Sequence, residues 1–315
     1  MERKWTDMEN EPEIREETRK KMSLKWKILI GILAALVLVV LKLGPQNIYN
    51  YIRTAPDGFF EVEPTGEDYA SVKDYYGLSS RVAIPDTLQG KSVDTIDIWA
   101  FIDNKVLTDV EIPDSVGLIC QSAFQNCKNL RQVTFGRNVF AIKSKAFMNC
   151  SKLEQIAIPE QVRSIEDETF RNCEQLKSVI LPDGLTEIDI RAFSGCYDLT
   201  DITLPDGLTY LGGRAFENCT ALPSVRIPDG VTHLKKETFL GCRKLASVTL
   251  SSGLKEIWER AFANCVALKE ITIPESVNSI AKDAFEGCAL TVYLPHEKDH
   301  YLELPAGDGI TLVEP

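Results

Sequence analysis

Three sets of side chains in this 315-residue sequence have residue types that do chemistry. The first is a literal H-E-x-x-H, His296-Glu297-Lys298-Asp299-His300. On a helix that spacing puts two imidazoles on one face for zinc, with the Glu as general base. Its surroundings argue otherwise. The intervening Lys298 and Asp299 are charged, no histidine follows, and the remaining one, His233, lies several repeats away, so the third ligand of a zinc site is lacking. The segment reads as a charged cap. The second set is the nine cysteines. Eight of them, Cys127, Cys150, Cys173, Cys196, Cys219, Cys242, Cys265 and Cys288, fall 23 residues apart. Equal spacing is neither a disulfide framework nor a metal signature, so these read as buried, reduced packing residues. Cys120 stands where Lys143, Glu166 and Lys235 stand in later copies. It is therefore expected to be exposed, and it is the candidate for a reactive thiol or an intermolecular link. The third set is an acidic row after prolines: Asp114, Glu160, Asp183, Asp206, Asp229 and Glu275. Stacked carboxylates suit Ca²⁺, but one per copy without a regular second ligand makes a thin site. Asp after Pro more simply starts a turn. No catalytic residue, cofactor or metal site is assigned, and the chain reads as a non-enzyme.

The elements that must position these residues repeat with the cysteines. Phe124, Phe147, Phe170, Phe193, Phe216, Phe239, Phe262 and Phe285 keep the same 23-residue step. A fixed period of this size marks a solenoid, one elongated domain whose core grows with copy number. Within each copy apolar residues alternate ahead of a proline, as in Val179/Leu181 and Ile202/Leu204. Period two predicts a short strand, which the proline ends because it has no N–H for the next ladder bond. Asp183-Gly184, Asp206-Gly207 and Asp229-Gly230 then turn the chain. A second apolar pair follows at spacing three, as in Leu185/Ile188. In the Ala-Phe-x-x-Cys segment, one helical turn would aim Phe and Cys inward together. One strand per coil, stacked in the same direction, makes a long parallel sheet. A lone coil cannot bury enough to fold; stacking covers both of its flat faces.

Ahead of the array, 1–27 is polar and mixed in charge, with Arg19, Lys20, Lys21, Lys25 and Lys27 at its end. Residues 28–41 carry no charge or strong polar group, and flanking lysines that snorkel extend the apolar span towards the ~20 residues a bilayer needs. A buried soluble helix and a cleaved signal peptide compete with an uncleaved signal anchor. The anchor fits best, because the solenoid has its own core and no A-x-A-like site follows. The basic N-terminal flank puts Met1 in the cytoplasm and the repeats outside. The net charge of −11 gives no general attraction to nucleic acid. The expected layout is a cytoplasmic tail 1–27, a transmembrane signal anchor 28–43, and a linker and lead-in segment 44–80. The solenoid follows over 81–294, then a C-terminal cap over 295–315. Five extra residues near Gln89 to Val93 make the first coil atypical, as expected at an array end.

The recurring L-x-x-V-x-L-P, V-x-x-I and A-F-x-x-C parts, from about Val82 to Leu294, resemble the leucine-rich repeats typified by BspA-like surface proteins. That resemblance implies a right-handed leucine-rich repeat solenoid on a cell surface, used for adhesion or for binding proteins. With the anchor, it points to a single-pass cell-membrane protein whose partner is an extracellular protein or glycan. The alternative is a structural spacer or envelope scaffold without a dedicated ligand. The outward strand positions form the natural binding face. One row is Glu111, Thr134, Ala157, Ile180, Thr203, Arg226, Thr249 and Thr272; beside it run Asp109, Gln132, Gln155, Ser178, Asp201, Ser224, Ser247 and Glu270. Ile180 is the only large aliphatic residue in either row, and the rows contain no aromatic hot spot.

Overall fold

The computed structural model describes residues 59–297, 301 and 303–315. The expected cytoplasmic tail over 1–27, the expected anchor over 28–43, the first part of the linker, 44–58, and His300 lie outside the described residues. Among the described residues no helix is long and apolar enough to cross a membrane. The chain divides into two units. The described residues of the first are 59–61 and Tyr75–Gly77, where the Phe60 and Tyr75 rings lie 5.0 Å apart. The second, Val62–Asp74 with Leu78–Pro315, is the repeat array.

The array is a parallel β-solenoid with two strands per coil. β1 (Phe60–Pro64) and β2 (Tyr69–Tyr75) come first. The strip ending at the prolines contains β3 (Arg81–Ala83), β6 (Asp109–Glu111), β8 (Gln132–Thr134), β10 (Gln155–Ala157), β12 (Ser178–Ile180) and β14 (Asp201–Ile202). It continues through β16 (Ser224–Arg226), β18 (Ser247–Thr249), β20 (Glu270–Thr272), β22 (Leu290–Tyr293) and β23 (Ile310–Val313). The second strip starts with β4 (Thr87–Leu88), β5 (Lys91–Ile96), β7 (Leu118–Ile119), β9 (Ala141–Ile142), β11 (Ser164–Ile165) and β13 (Glu187–Ile188). β15 (Tyr210–Leu211), β17 (His233–Leu234), β19 (Glu256–Ile257) and β21 (Ser279–Ile280) complete it. Register follows the period: Val179 pairs with Ile202, and Ile188 with Leu211. The expectation of one strand per coil is corrected by this second strip. Its strands are only two residues long in most coils, too short for alternation to show, and the spacing-three pair hid them.

The third side of each coil is a turn rather than a helical turn. In the coils of Phe101 to Phe262 the residues two before and two after the stacked phenylalanine have positive φ, as at Lys145 (φ 61°) and Asn149 (φ 62°) around Phe147. Conformations of opposite hand along this segment aim its N–H groups at two kinds of acceptor. Ala123 and Gln125 donate backward within the coil, to Cys120 and Ser122. Ser122, Phe124 and Asn126 donate across to the carbonyls of Ser144, Ala146 and Met148 in the next coil. The turn is thus a third hydrogen-bonded ladder, which satisfies backbone groups that would otherwise be buried unpaired.

The core runs through the middle of the stack. Nine phenylalanines, Phe101 to Phe285, form one column of near-parallel rings, with neighbouring centroids 4.7 to 5.6 Å apart. Leu185, Ile188, Phe193, Cys196 and Leu199 in one coil are all buried. At the front, β4 and β5 form an antiparallel hairpin with Gln89 and Gly90 at positive φ, so the extra residues of the first coil are a tight hairpin turn. The array also begins earlier than residue 81, because β2 pairs in parallel with β5 and buries Ala70 and Val72. The first ladder is interrupted between β8 and β10, between β18 and β20, and between β14 and β16. At this last break Pro223 stands where Lys177 and Thr200 donate an N–H to the preceding coil, and it has none to give.

Candidate binding surface

Both outward rows of the first strip reach solvent. Glu111, Thr134, Ala157, Thr203, Arg226, Thr249 and Thr272 are exposed, and Ile180 is 65% exposed. Ladder pairing brings neighbours of the row together, with Ala157 beside Ile180 and Arg226 beside Thr249. In the second row Asp109 and Ser178 are half-buried; Gln132, Gln155, Asp201, Ser224, Ser247 and Glu270 are exposed. The first row runs further than expected: Thr272 pairs with Tyr293 and Tyr293 with Val313, both exposed. The Tyr293 coil breaks the 23-residue step, which concealed it in the sequence.

The residues of chemical type are engaged in structure. Each stacked thiol donates to the phenylalanine carbonyl one coil back, for example Cys196 Sγ to Phe170 O at 3.3 Å and Cys219 Sγ to Phe193 O at 3.3 Å. Burial pushes these thiols well above the ordinary range, so no thiolate forms at neutral pH. Cys120 differs from its expectation. It is half-buried, and burial, aided by the Asp97 charge, pushes its thiol up to about 11. Lys143, Glu166 and Lys235, which share its row, are half-buried as well, so the position itself lies at the edge of the core. Three of the carboxylates after the prolines, Asp114, Asp206 and Asp229, bond to the next coil. Asp114 accepts from the Arg137 backbone N–H at 2.8 Å and from its guanidinium at 2.6 and 2.9 Å, which holds its carboxyl below the usual range. Asp229 accepts from Ser252 in the same manner. Among the described residues no group of three or more metal-ligating side chains comes together. His296 and Glu297 lie in an irregular segment, with His296 Nε2 3.1 Å from the Glu275 carbonyl.

Two ladders escaped sequence reasoning. The residue before each stacked cysteine, and before Asn104 in the first coil, is Asp103, Asn126, Asn149, Asn172, Gly195, Asn218, Gly241, Asn264 or Gly287, all at positive φ. These residue types tolerate the left-handed region best. Side-chain amides link them: Asn126 to Asp103 at 2.8 Å, Asn149 to Asn126 at 2.7 Å, Asn172 to Asn149 at 2.9 Å. The signal was present as N/G at a fixed offset. The second ladder is charged. Glu237, its side chain 4% exposed, lies between Arg214 and Arg260, with the Arg260 contact at 3.1 Å. Glu168 likewise takes Arg171 at 2.6 Å, Arg191 at 3.4 Å and Lys145 at 3.7 Å. Its signs alternate irregularly, so no sequence pattern announced it.

A two-strip solenoid of 23-residue coils with a phenylalanine column and a thiol stack narrows the family. The model of the BspA type leucine rich repeat region matches six copies over residues 94–221 and 164–291, more than half of the chain. The chain belongs to the BspA-type leucine-rich repeat family. Solved structures similar to this BspA-type chain include a leucine rich repeat protein of T. pallidum, 28% identical, with 67% of this chain and 88% of that one covered and a TM-score of 0.49. A leucine rich cell surface protein of Faecalibacterium prausnitzii A2-165 is 27% identical, covering 81% and 93%, at a TM-score of 0.45. The pneumococcal vaccine antigen PcpA is 18% identical, covering 81% and 86%, at a TM-score of 0.46. No curated protein gives a significant match.

Proposed function

We propose that this BspA-type chain is a non-catalytic binding or adhesion module, held at a cell membrane by residues 28–43 with its repeats outside the cell. The first-strip row from Glu111 to Thr272 contacts an extracellular protein or glycan. One observation carries the reading. A single face of the solenoid presents solvent-exposed side chains at the same position of successive coils, while the stacked thiols and Asp114 are tied up in structural bonds. Family membership supports display at a surface, and the basic flank before residue 28 supports the orientation. In this reading the coils wind right-handedly, as β-crossovers between parallel strands do.

The test is capture by the purified full chain from a panel of matrix proteins and glycans. Reproducible capture that is lost in the double variant Ile180→Ser, Arg226→Ala supports the module. No capture at all favours the structural spacer; capture indifferent to that change overturns the first-strip row as the contact. Protease added to intact cells should trim the repeats and spare the N-terminal tail; the reverse pattern overturns the orientation.

A further inference from the structure

The second strip carries what the first one lacks, a cluster of aromatic side chains on its outer edge. Tyr210 on β15, His233 on β17 and Trp258 just past β19 come from three successive coils. Lys235 joins them: its Nζ lies 4.0 Å from the Tyr210 ring centroid and 6.0 Å from that of Trp258. The His233 ring meets Trp258 edge-on, with centroids 6.1 Å apart. Trp258 Nε1 donates to Glu256 Oε2 at 2.7 Å, a bond between side chains two residues apart on the same outer face. Held from these sides, the indole remains 38% exposed. A large ring fixed in place and left open to solvent is a pre-organised contact, because little side-chain freedom is lost when something lies on it.

A notch adjoins the cluster. In the coil of Tyr210, the two positions after the strand are Gly212 and Gly213, where the flanking coils have Asp189-Ile190 and Lys235-Lys236. The floor there is backbone: a Cβ on Gly212 would sit 2.5 Å from the Asp189 carbonyl carbon, and one on Gly213 3.1 Å from the Lys236 carbonyl oxygen. Removing one rung of side chains leaves a gap two strand spacings wide, ~10 Å. Exposed Ile190 stands on one side and Lys236 on the other.

We propose that Tyr210, Lys235 and Trp258 with this notch form a binding site for a pyranose unit of a neutral oligosaccharide. The face of a pyranose ring that carries its C–H bonds is apolar and lies flat on an aromatic ring, while its hydroxyls need donors and acceptors at the rim. Trp258 supplies the ring, Lys235 the donor and Glu256 the acceptor, and the latter two cancel in charge. Size points the same way. Three rungs by about three residues of strand amount to ~150 Å², far below the ~800 Å² per partner of a stable protein interface. This site lies on a different strip from the proposed binding face, so the two readings fail separately.

Calorimetric titration of the purified full chain, in a detergent without sugar headgroups, tests it. The probes are cellotetraose, maltotetraose and the β-1,4-linked tetramer of N-acetylglucosamine. Saturable binding of at least one is expected, weakened at least tenfold in Trp258→Ala and no more than threefold in Trp258→Phe. Ile180→Ser with Arg226→Ala should leave it unchanged. Circular dichroism checks the fold of each variant. Should Trp258→Ala fail to fold, Tyr210→Ala reads the same platform and is expected to weaken binding at least threefold. Absence of saturable heat with all three probes, or undiminished binding in the folded platform variant, overturns the proposal.

Discussion

At the scale of single residues, the coil spacing forces like charges together, and Asp167 shows the result. Its Oδ1 and that of Asp189, one coil on, both accept from the Ile190 N–H, at 3.1 and 2.9 Å. Burial, then the neighbouring Asp189, pushes the Asp167 carboxyl up to about 6. Folding therefore favours its protonated form. The stability it contributes is fully present below the ordinary carboxylate range and is lost as pH rises through 6. Asp167→Asn, which stays neutral and keeps the acceptor, should gain about 1 kcal/mol over the parent at pH 7.5, a figure reduced for solvent screening. The gain should vanish near pH 4, as read from urea unfolding at the two values. Cys120 gives a second expectation. With its thiol raised to about 11, it should react with a disulfide reagent far more slowly at pH 7.5 than a free thiol does, and faster as pH climbs. A rate equal to that of free cysteine would contradict the half-buried placement.

Among the elements, the turn ladder has the most specific requirement. Asn149 sits at φ 62° and links Asn126 to Asn172. Both Asn149→Gly and Asn149→Ala delete those links, but only Ala adds a Cβ that the left-handed region disfavours. Ala should therefore be the worse by about 1 kcal/mol, the reverse of the order in a helix. Equal melting of the two variants would mean that φ at this position relaxes. The strands before the prolines were legible because alternation plus Pro, as at Val179/Leu181-Pro182, gives period and terminus together. The second strip was not, since a two-residue strand such as Glu187–Ile188 offers no alternation to read. The first-strip face was legible for the same reason as its strands: outward positions follow from inward ones. The aromatic cluster was not, because Tyr210 and His233 stand two positions earlier in their coils than Lys235 and Trp258, on a strand whose outward positions no alternation had marked.

For the molecule as a whole, the phenylalanine column makes each coil depend on its neighbours. Phe193 has a stacked ring on both sides, at 5.5 Å each, whereas Phe285 has one at 5.5 Å. Truncating a buried phenylalanine costs ~3–5 kcal/mol, so Phe193→Ala should fall in that range and Phe285→Ala below it, by chemical denaturation. Equal losses would show that the rings act independently. The turn segments bind in one direction only, each coil giving N–H groups to the next and offering carbonyls to the one before. Every coil therefore presents the same upper and lower contacts as its neighbours. Adding or deleting one 23-residue coil would leave both new neighbours satisfied at this turn. The length of the rod is then free to drift between lineages, while the first and last rungs, whose contacts are unlike the rest, stay put.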